Sequence, residues 1–315
     1  MTVRAFLFPG QGSQYVGMAK ALCETFSAAR EVLESLDETL KQPLSRLMME
    51  GPEDKLTLTQ NTQPALMAHS LAVMRVLERE TGLDVAKSVQ FAAGHSLGEY
   101  SALCTSKSFD FETTARLLRH RGEAMQSAVS EGMGGMAALL GTDKEHAKQI
   151  CEEVTLPGSF VVVANDNGAG QVVISGHQDA IDRAIDVANQ KKIKKAIKLV
   201  VSAPFHSPLM KPAAEKMQTA LADIQVNCPV IPVVANVTAQ PYQSEQDIKT
   251  LLVEQVTAPV RWAETIQYLL DQNVEVFYEI GSGKVLSNLV KRIAKDRKAY
   301  SISDPVDIDQ FVKVF

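Results

Sequence analysis

Cysteine is scarce and scattered in this chain. Cys23, Cys104, Cys151 and Cys228 stand far apart among 315 residues, with no C-x-x-C pair. Such spacing supports neither a disulfide framework nor a zinc site, and reads as reduced, mostly buried thiols of a cytoplasmic protein. Positive charge is not in excess either. The formal net charge of -5 argues against a general nucleic-acid binder, although local basic patches remain compatible with it. No stretch approaches the length of a membrane span. The strand-like Val3–Phe8 follows the start at once, with no basic head, long apolar run or cleavage site to suggest a leader. Internal repeats and low-complexity tracts are also lacking. What is present is 45% hydrophobic and 22% charged. That is the balance of a soluble globular protein, long enough for one large or two ordinary domains.

Strand-like and helix-like stretches alternate from the start, which predicts an α/β fold with a largely parallel sheet. Residues 3–8 read as a strand, 15–23 and 28–40 as helices, and 64–80 as a helix with Leu66, Met67, Leu71, Met74 and Leu77 at helical spacing. A strand ending at 93 and a helix from 97 to 104 follow, then a helix over 111–129 with Asp110 as its N-cap. Near Glu131-Gly132-Met133-Gly134-Gly135 the pattern changes. Strand 136–140, helix 144–153, strands 160–164 and 171–175, helix 180–190 and strand 196–201 give the order βαββαβ of a ferredoxin-like unit. The expected organisation is a large parallel-sheet domain, 1–130 and 203–315, with a small inserted domain at 131–202. After Pro204 strands are expected at 230–235 and 274–280, and helices at 247–256, 263–271 and 285–294. Asp304-Pro305 reads as a breaker in the tail.

The most informative segment is Gly94-His95-Ser96-Leu97-Gly98, set between that strand and helix. Strand, G-x-S-x-G, helix is the context of a nucleophile elbow, in which the two glycines permit a very sharp turn and Ser96 stands clear of the sheet. Backbone N–H groups at the helix start, Leu97 foremost, then face any oxyanion formed there. A base is needed, and six histidines are available. His95 diverges from its neighbour on an elbow. His120 and His146 sit among charged residues, His177 opens a helix of the small domain, and His69 lies in an amphipathic helix. His206 differs: it occupies the small-residue and proline loop Val201-Ser202-Ala203-Pro204-Phe205-His206-Ser207-Pro208, and loops on rigid scaffolds are where catalytic groups concentrate. No carboxylate announces itself between Ser96 and His206 to orient the imidazole, which leaves that role to a backbone or amide oxygen.

Arg121 falls on one stripe with Leu117, Met125 and Ala128. An arginine there is costly unless a carboxylate or phosphate meets it, and its planar fork suits a carboxylate. A protein Asp or Glu would serve as well as a ligand. The loop Phe8-Pro9-Gly10-Gln11-Gly12-Ser13-Gln14 and the segment Gly281-Ser282-Gly283-Lys284 both follow strands, and neither has the spacing of a dinucleotide fingerprint or a P-loop. Lys191, Lys192, Lys194, Lys195 and Lys198 form a basic cluster, ordinarily a solvated face and otherwise a surface for an acidic partner.

Together these segments resemble the malonyl-CoA:acyl carrier protein transacylases, and more distantly the acyltransferase domains of polyketide synthases. The likeness extends to Arg121-Gly122-x-x-Met125-Gln126, Gly170-Gln171-Val172-Val173-Ile174-Ser175-Gly176, Ala203-Pro204-Phe205-His206-Ser207, Pro259-Val260-Arg261-Trp262 and Glu279-Ile280-Gly281-x-Gly283. It implies an α/β-hydrolase-like large domain with a ferredoxin-like insert. It also implies Ser96 as nucleophile, His206 as its base, and the main-chain carbonyl of Gln255 in place of a triad acid. By the same resemblance Gln11 and Leu97 supply the oxyanion donors, Arg121 clamps the malonyl carboxylate, and Met125 and Phe205 line the acyl site. A phenylalanine directly before the histidine resembles the malonyl-selecting form. Expected partners are malonyl-CoA and acyl carrier protein, with no metal, redox cofactor, nucleic acid or membrane. The loop Asn165-Asp166-Asn167-Gly168-Ala169 departs most from the pattern. A serine esterase or thioesterase shares the elbow, and a non-catalytic carrier-binding module would share the fold. A cationic acyl clamp without a triad acid speaks against the first, and intact Ser96, His206 and Arg121 against the second.

Overall fold

Short apolar runs become nine strands in the computed structural model, which describes residues 2–314. In chain order they are β1 (Arg4–Phe8), β2 (Phe91–Gly94), β3 (Gly134–Leu140), β4 (Val161–Asp166), β5 (Gln171–His177), β6 (Lys195–Lys198), β7 (Val233–Val234), β8 (Val276–Ile280) and β9 (Lys298–Ile302). Five of them form a sheet in the order β7-β2-β1-β8-β9, every neighbouring pair parallel. Residues 5 to 8 of β1 are fully buried, as expected where helices cover both faces of a parallel sheet. Their side chains alternate between two cores. Phe6 and Phe8 join the one formed with helices Ser27–Leu40, Thr59–Thr81 and Phe111–Gln126, while Ala5 and Leu7 meet helices Trp262–Asp271 and Val285–Ile293. Register places Phe8 opposite Gly94 and Leu7 opposite Glu279. The loops leaving β1, β2 and β8 therefore emerge together at the carboxyl edge, where ligands bind in open parallel sheets.

The other four strands form a separate antiparallel sheet in the order β4-β5-β3-β6. Helices Lys144–Val154 and Gln178–Gln190 cover one of its faces, burying Ala137, Leu139, Ile150, Val172, Ile174 and Ile181. Met136, Ala138 and Val173 alternate to the opposite face and join the larger core. Backbone bonds from Asp166 to Val260 and from Val260 to Ala164 tie β4 to the rest of the molecule. The lysine cluster sits around β6, an edge strand, where charge discourages pairing with another chain. Lys191 and Lys198 are already paired, with Glu153 and Asp182.

Several expected elements change. The helix anticipated at 15–23 begins only at Lys20, because Gly17 and Ala19 adopt positive φ of 100° and 64°. The strands anticipated at 196–201 and 230–235 shrink to β6 and β7. Helices Leu44–Glu50, Glu53–Leu56 and Lys211–Ala222 lie where no element was anticipated. Asp304-Pro305 starts a helix, Pro305–Val314, instead of ending structure. The Asp304 carboxylate accepts the N–H groups of Val306 and Asp307, and proline at the first helical position lacks only a donor that would be idle there. No helix among the described residues is long and apolar enough to cross a membrane.

The cap gives a stability expectation. Asp304→Ala removes the acceptor for two helix-start donors, and caps of this type are worth about 1 kcal/mol. Denaturant unfolding should report a loss of that size, with the midpoint lowered and the slope unchanged. No change would mean that the final helix frays independently of the rest.

Candidate active site

The elbow is built by backbone contact. A Cβ on Gly94 would lie 1.9 Å from the Gly98 carbonyl carbon, and one on Gly98 would lie 2.2 Å from the Phe8 carbonyl oxygen. Only glycine fits either position. Ser96 between them takes φ of 54°, a left-handed backbone that an L-residue adopts only under constraint. Asn236, just beyond β7, supplies that constraint. Its Oδ1 accepts the Ser96 N–H at 2.7 Å and its Nδ2 donates to the Gly94 carbonyl at 2.7 Å.

The Ser96 hydroxyl lies 2.8 Å from His206 Nε2. His206 Nδ1 faces the carbonyls of Gln255 at 2.8 Å and Ala258 at 3.1 Å. Carbonyl oxygens only accept, so Nδ1 carries the ring proton and Nε2 keeps its lone pair for the serine. The ring is 3% exposed. Burial, reinforced by the Arg121 cation, drives its pKa down to about 3, against the pull of the two carbonyls. The imidazole is therefore neutral, as a proton acceptor must be.

Arg121 is 1% exposed, on the helix Phe111–Gln126. Gly122 beside it lets that helix approach the backbone of Gln60 on the neighbouring helix, where a Cβ would meet Cα at 2.5 Å. The guanidinium donates to Gln63 Oε1 at 2.8 Å, Gln255 Oε1 at 2.8 Å and Ser96 Oγ at 3.2 Å, and sits 5.7 Å above the Tyr100 ring. Arg121 forms no ion pair with a carboxylate among the described residues, so its charge is held by neutral amides. Burial accordingly pulls its pKa down.

These groups share a cleft of about 330 Å³ at the carboxyl edge of the parallel sheet, also lined by Gln11, Leu97, Met125 and Phe205. Met136 and Val173 of the antiparallel sheet close it from above. The backbone N–H groups of Gln11 and Leu97 have no acceptor among the described residues. Every residue singled out from the sequence for this site thus lines the cleft or touches a residue that does. Of the other histidines, His95 turns away to Asn167 Oδ1 at 2.9 Å, and His69 is buried against the Ser303 carbonyl. Asn165 keeps a buried Oδ1 without a partner, at the cleft wall. Gln63, Glu99, Asn236 and Tyr242 were not anticipated. Glu99 directly follows the Gly94–Gly98 elbow, its only visible signal, while the others are single polar residues in unremarked stretches. Among the described residues, no group of three or more His, Cys, Asp or Glu is placed to hold a metal ion.

Residues 5–305 match the acyl transferase domain family model. The chain belongs to the acyl transferase family. Within that family, the malonyl CoA-acyl carrier protein transacylase of Bacillus subtilis (strain 168) is 46% identical over 309 residues, covering 98% of this chain and 96% of its own. The solved acyl-carrier-protein-S-malonyltransferase from Bartonella henselae is 51% identical with a TM-score of 0.97, covering 99% of both chains. A malonyl-transacylase solved in complex with its type II PKS acyl-carrier protein is 40% identical with a TM-score of 0.95, again covering 99% of each.

The depressed pKa makes the histidine testable in the free protein. Because the neutral form persists at every pH above about 3, the His206 ring should not titrate between pH 8 and pH 5. Two-dimensional NMR of ¹⁵N-labelled histidine reads this directly. A midpoint near the ordinary value of about 6.5 would mean a solvated ring and a different geometry.

Proposed function

We propose that the chain transfers a malonyl group from coenzyme A to the phosphopantetheine thiol of acyl carrier protein, through a malonyl ester on Ser96, in fatty-acid biosynthesis in the cytoplasm. The observation that carries this reading is Arg121. A buried guanidinium 3.2 Å from the nucleophile, with no protein carboxylate bonded to it directly, suits an acyl group that brings its own carboxylate. The relatives are named for malonyl transfer, and one of them is solved with its carrier protein.

In the mechanism His206 Nε2 takes the Ser96 proton as Oγ attacks the thioester carbonyl. The backbone N–H groups of Gln11 and Leu97 receive the oxyanion of the tetrahedral intermediate. Collapse breaks the carbon–sulfur bond, and the departing coenzyme A sulfur takes the proton from His206. The carrier thiol then attacks the malonyl-serine ester, giving its proton to His206, and Ser96 recovers a proton as it leaves. The Gln255 and Ala258 carbonyls stabilise the imidazolium in each half-reaction, the role an acid plays in a triad. Met125 and Phe205 shape the acyl pocket. The chemistry needs no metal or redox cofactor, since the thioester is already activated.

The same reading extends to architecture. Residues 2–130 and 203–314 form an α/β-hydrolase-like catalytic domain, and 131–202 a ferredoxin-like small domain; the outer bounds anticipated for the large domain, Met1 and Phe315, lie outside the described residues. Supporting it are the elbow after β2, the βαββαβ element order and the strand order β4-β5-β3-β6.

Two variants test the reading. Ser96→Ala should acquire no covalent malonyl group in a mass spectrum after exposure to malonyl-CoA, whereas wild type should gain one and pass it to carrier protein. Release of free malonate irrespective of carrier would make the enzyme a hydrolase. Arg121→Ala should lose about two to four decades in kcat/KM for malonyl-CoA, since separating a buried charge pair costs about 3–5 kcal/mol. Acetyl-CoA, having no carboxylate to lose, should be transferred at least as well as by wild type. Equal losses on both substrates would make Arg121 a structural residue.

A further inference from the structure

Glu99 is a buried acid that the mechanism above leaves without a role. It lies in the first turn of the helix Gly98–Thr105, three residues after the nucleophile, and is 1% exposed. Its Oε2 accepts the Asn236 N–H at 3.1 Å and Gln255 Nε2 at 2.7 Å, and its Oε1 accepts the Tyr242 hydroxyl. A carboxyl surrounded by donors is arranged as the ionised, acceptor-only form. Burial pushes it up to about 7, against the pull of Tyr242, Gln255, Asn236 and Arg121.

The consequence passes through Gln255. With Nε2 committed to Glu99 and to the Ser96 carbonyl at 3.0 Å, the amide has one remaining orientation, and its Oε1 accepts from Arg121 at 2.8 Å. A reversed amide would set its NH₂ against the guanidinium and its oxygen against the carboxylate. The chain Glu99–Gln255–Arg121 is therefore an acid and a base separated by one polarised amide. An acid bonded directly to Arg121 would occupy the fork that a substrate carboxylate needs. With no acid at all, the buried cation would go uncompensated.

We propose that Glu99 is a positioning residue for acyl selection: through the Gln255 amide it balances the Arg121 cation and aims the guanidinium at the cleft while leaving it free to take the substrate carboxylate. This rests on the reading of Arg121 as the malonyl clamp and adds to it the group that keeps the clamp open. Glu99→Gln offers one acceptor oxygen and an NH₂ in place of two acceptors, so the Gln255 amide loses its fixed direction and Arg121 its counter-charge.

The test is kcat/KM for Ser96 loading from malonyl-CoA and acetyl-CoA in wild type, Glu99→Gln, Arg121→Ala and the double variant. Glu99→Gln should lower the malonyl-over-acetyl preference by on the order of tenfold to a hundredfold, and should lower it no further once Arg121 is gone, as expected for coupled neighbours. An equal loss on both substrates would make Glu99 a support of the elbow through Asn236 and overturn the proposal. So would an unchanged preference in Glu99→Gln alongside a collapsed one in Arg121→Ala. If Arg121→Ala itself keeps the preference, the clamp reading fails first. Tyr242→Phe removes one donor while leaving the carboxylate, and serves where Glu99→Gln does not fold. It should lower the preference in the same direction by a smaller factor, and an unchanged preference in a folded Tyr242→Phe protein would count against the proposal.

Discussion

The rest of the structure depends on a contact between two backbones, where Gly98 at the start of its helix touches the Phe8–Pro9 carbonyls at the end of β1. No side chain fits there: even a Cβ would sit 2.2 Å from the Phe8 oxygen. The contact can exist because β1 and β2 are adjacent and in a register that sets Phe8 beside Gly94. It brings the Gln11 loop next to Leu97 at the helix start. It also forces the turn that leaves Ser96 at a positive φ, with its hydroxyl clear of the sheet. Left-handed backbone at a non-glycine residue costs on the order of 1–3 kcal/mol and persists only where surroundings over-determine it. Here the two Asn236 side-chain bonds, reaching across from β7, do that.

A second constraint is electrostatic. The cleft holds a buried cation, Arg121, and a histidine that must stay neutral beside it. These demands support each other, because the positive field of Arg121 adds to burial in lowering the His206 pKa. Carbonyl oxygens suit this arrangement better than a triad carboxylate would. An aspartate at Nδ1 would raise the imidazole pKa and place a full negative charge near Arg121. Two carbonyl dipoles orient the ring without setting a negative charge against the cation. The acid that the region does contain, Glu99, stands one amide away.

How much of this was legible follows from what is local in sequence. The elbow reads directly, since strand, glycines, serine and helix are contiguous. Arg121 stands out because a charge on an apolar stripe breaks a local pattern, and His206 because its loop composition is unusual. Asn236, Tyr242 and Gln63 break no pattern. They reach the site only because β7 pairs with β2 and because helix Thr59–Thr81 packs on helix Phe111–Gln126, and both are tertiary facts. Glu99 breaks no pattern either, since an acid in a first helical turn is ordinarily explained by the helix dipole. Misread boundaries have similar causes. Positive φ at Gly17 and Ala19 interrupts an apparently helical stretch. Asp304-Pro305 is ambiguous in sequence because proline both ends and begins helices.

If Ser96 carries the acyl group as proposed, its ester has to be kept from water until a thiol arrives, and residues of both sheets line the cleft where it would stand. The parallel sheet contributes the polar floor, with Ser96, His206 and the free backbone donors of Gln11 and Leu97. The antiparallel sheet contributes an apolar roof through Met136 and Val173, side chains on the face its own helices leave uncovered. Covering the floor raises the cost of every unpaired charge beneath it, and it strengthens every paired one by the same lowering of dielectric. Under the proposed function, apolar walls around the cleft favour a carboxylate at the buried Arg121 guanidinium and limit the water that reaches an ester on Ser96. A wetter cleft would weaken both effects together, so on that proposal the small sheet contributes to acyl selection alongside Arg121.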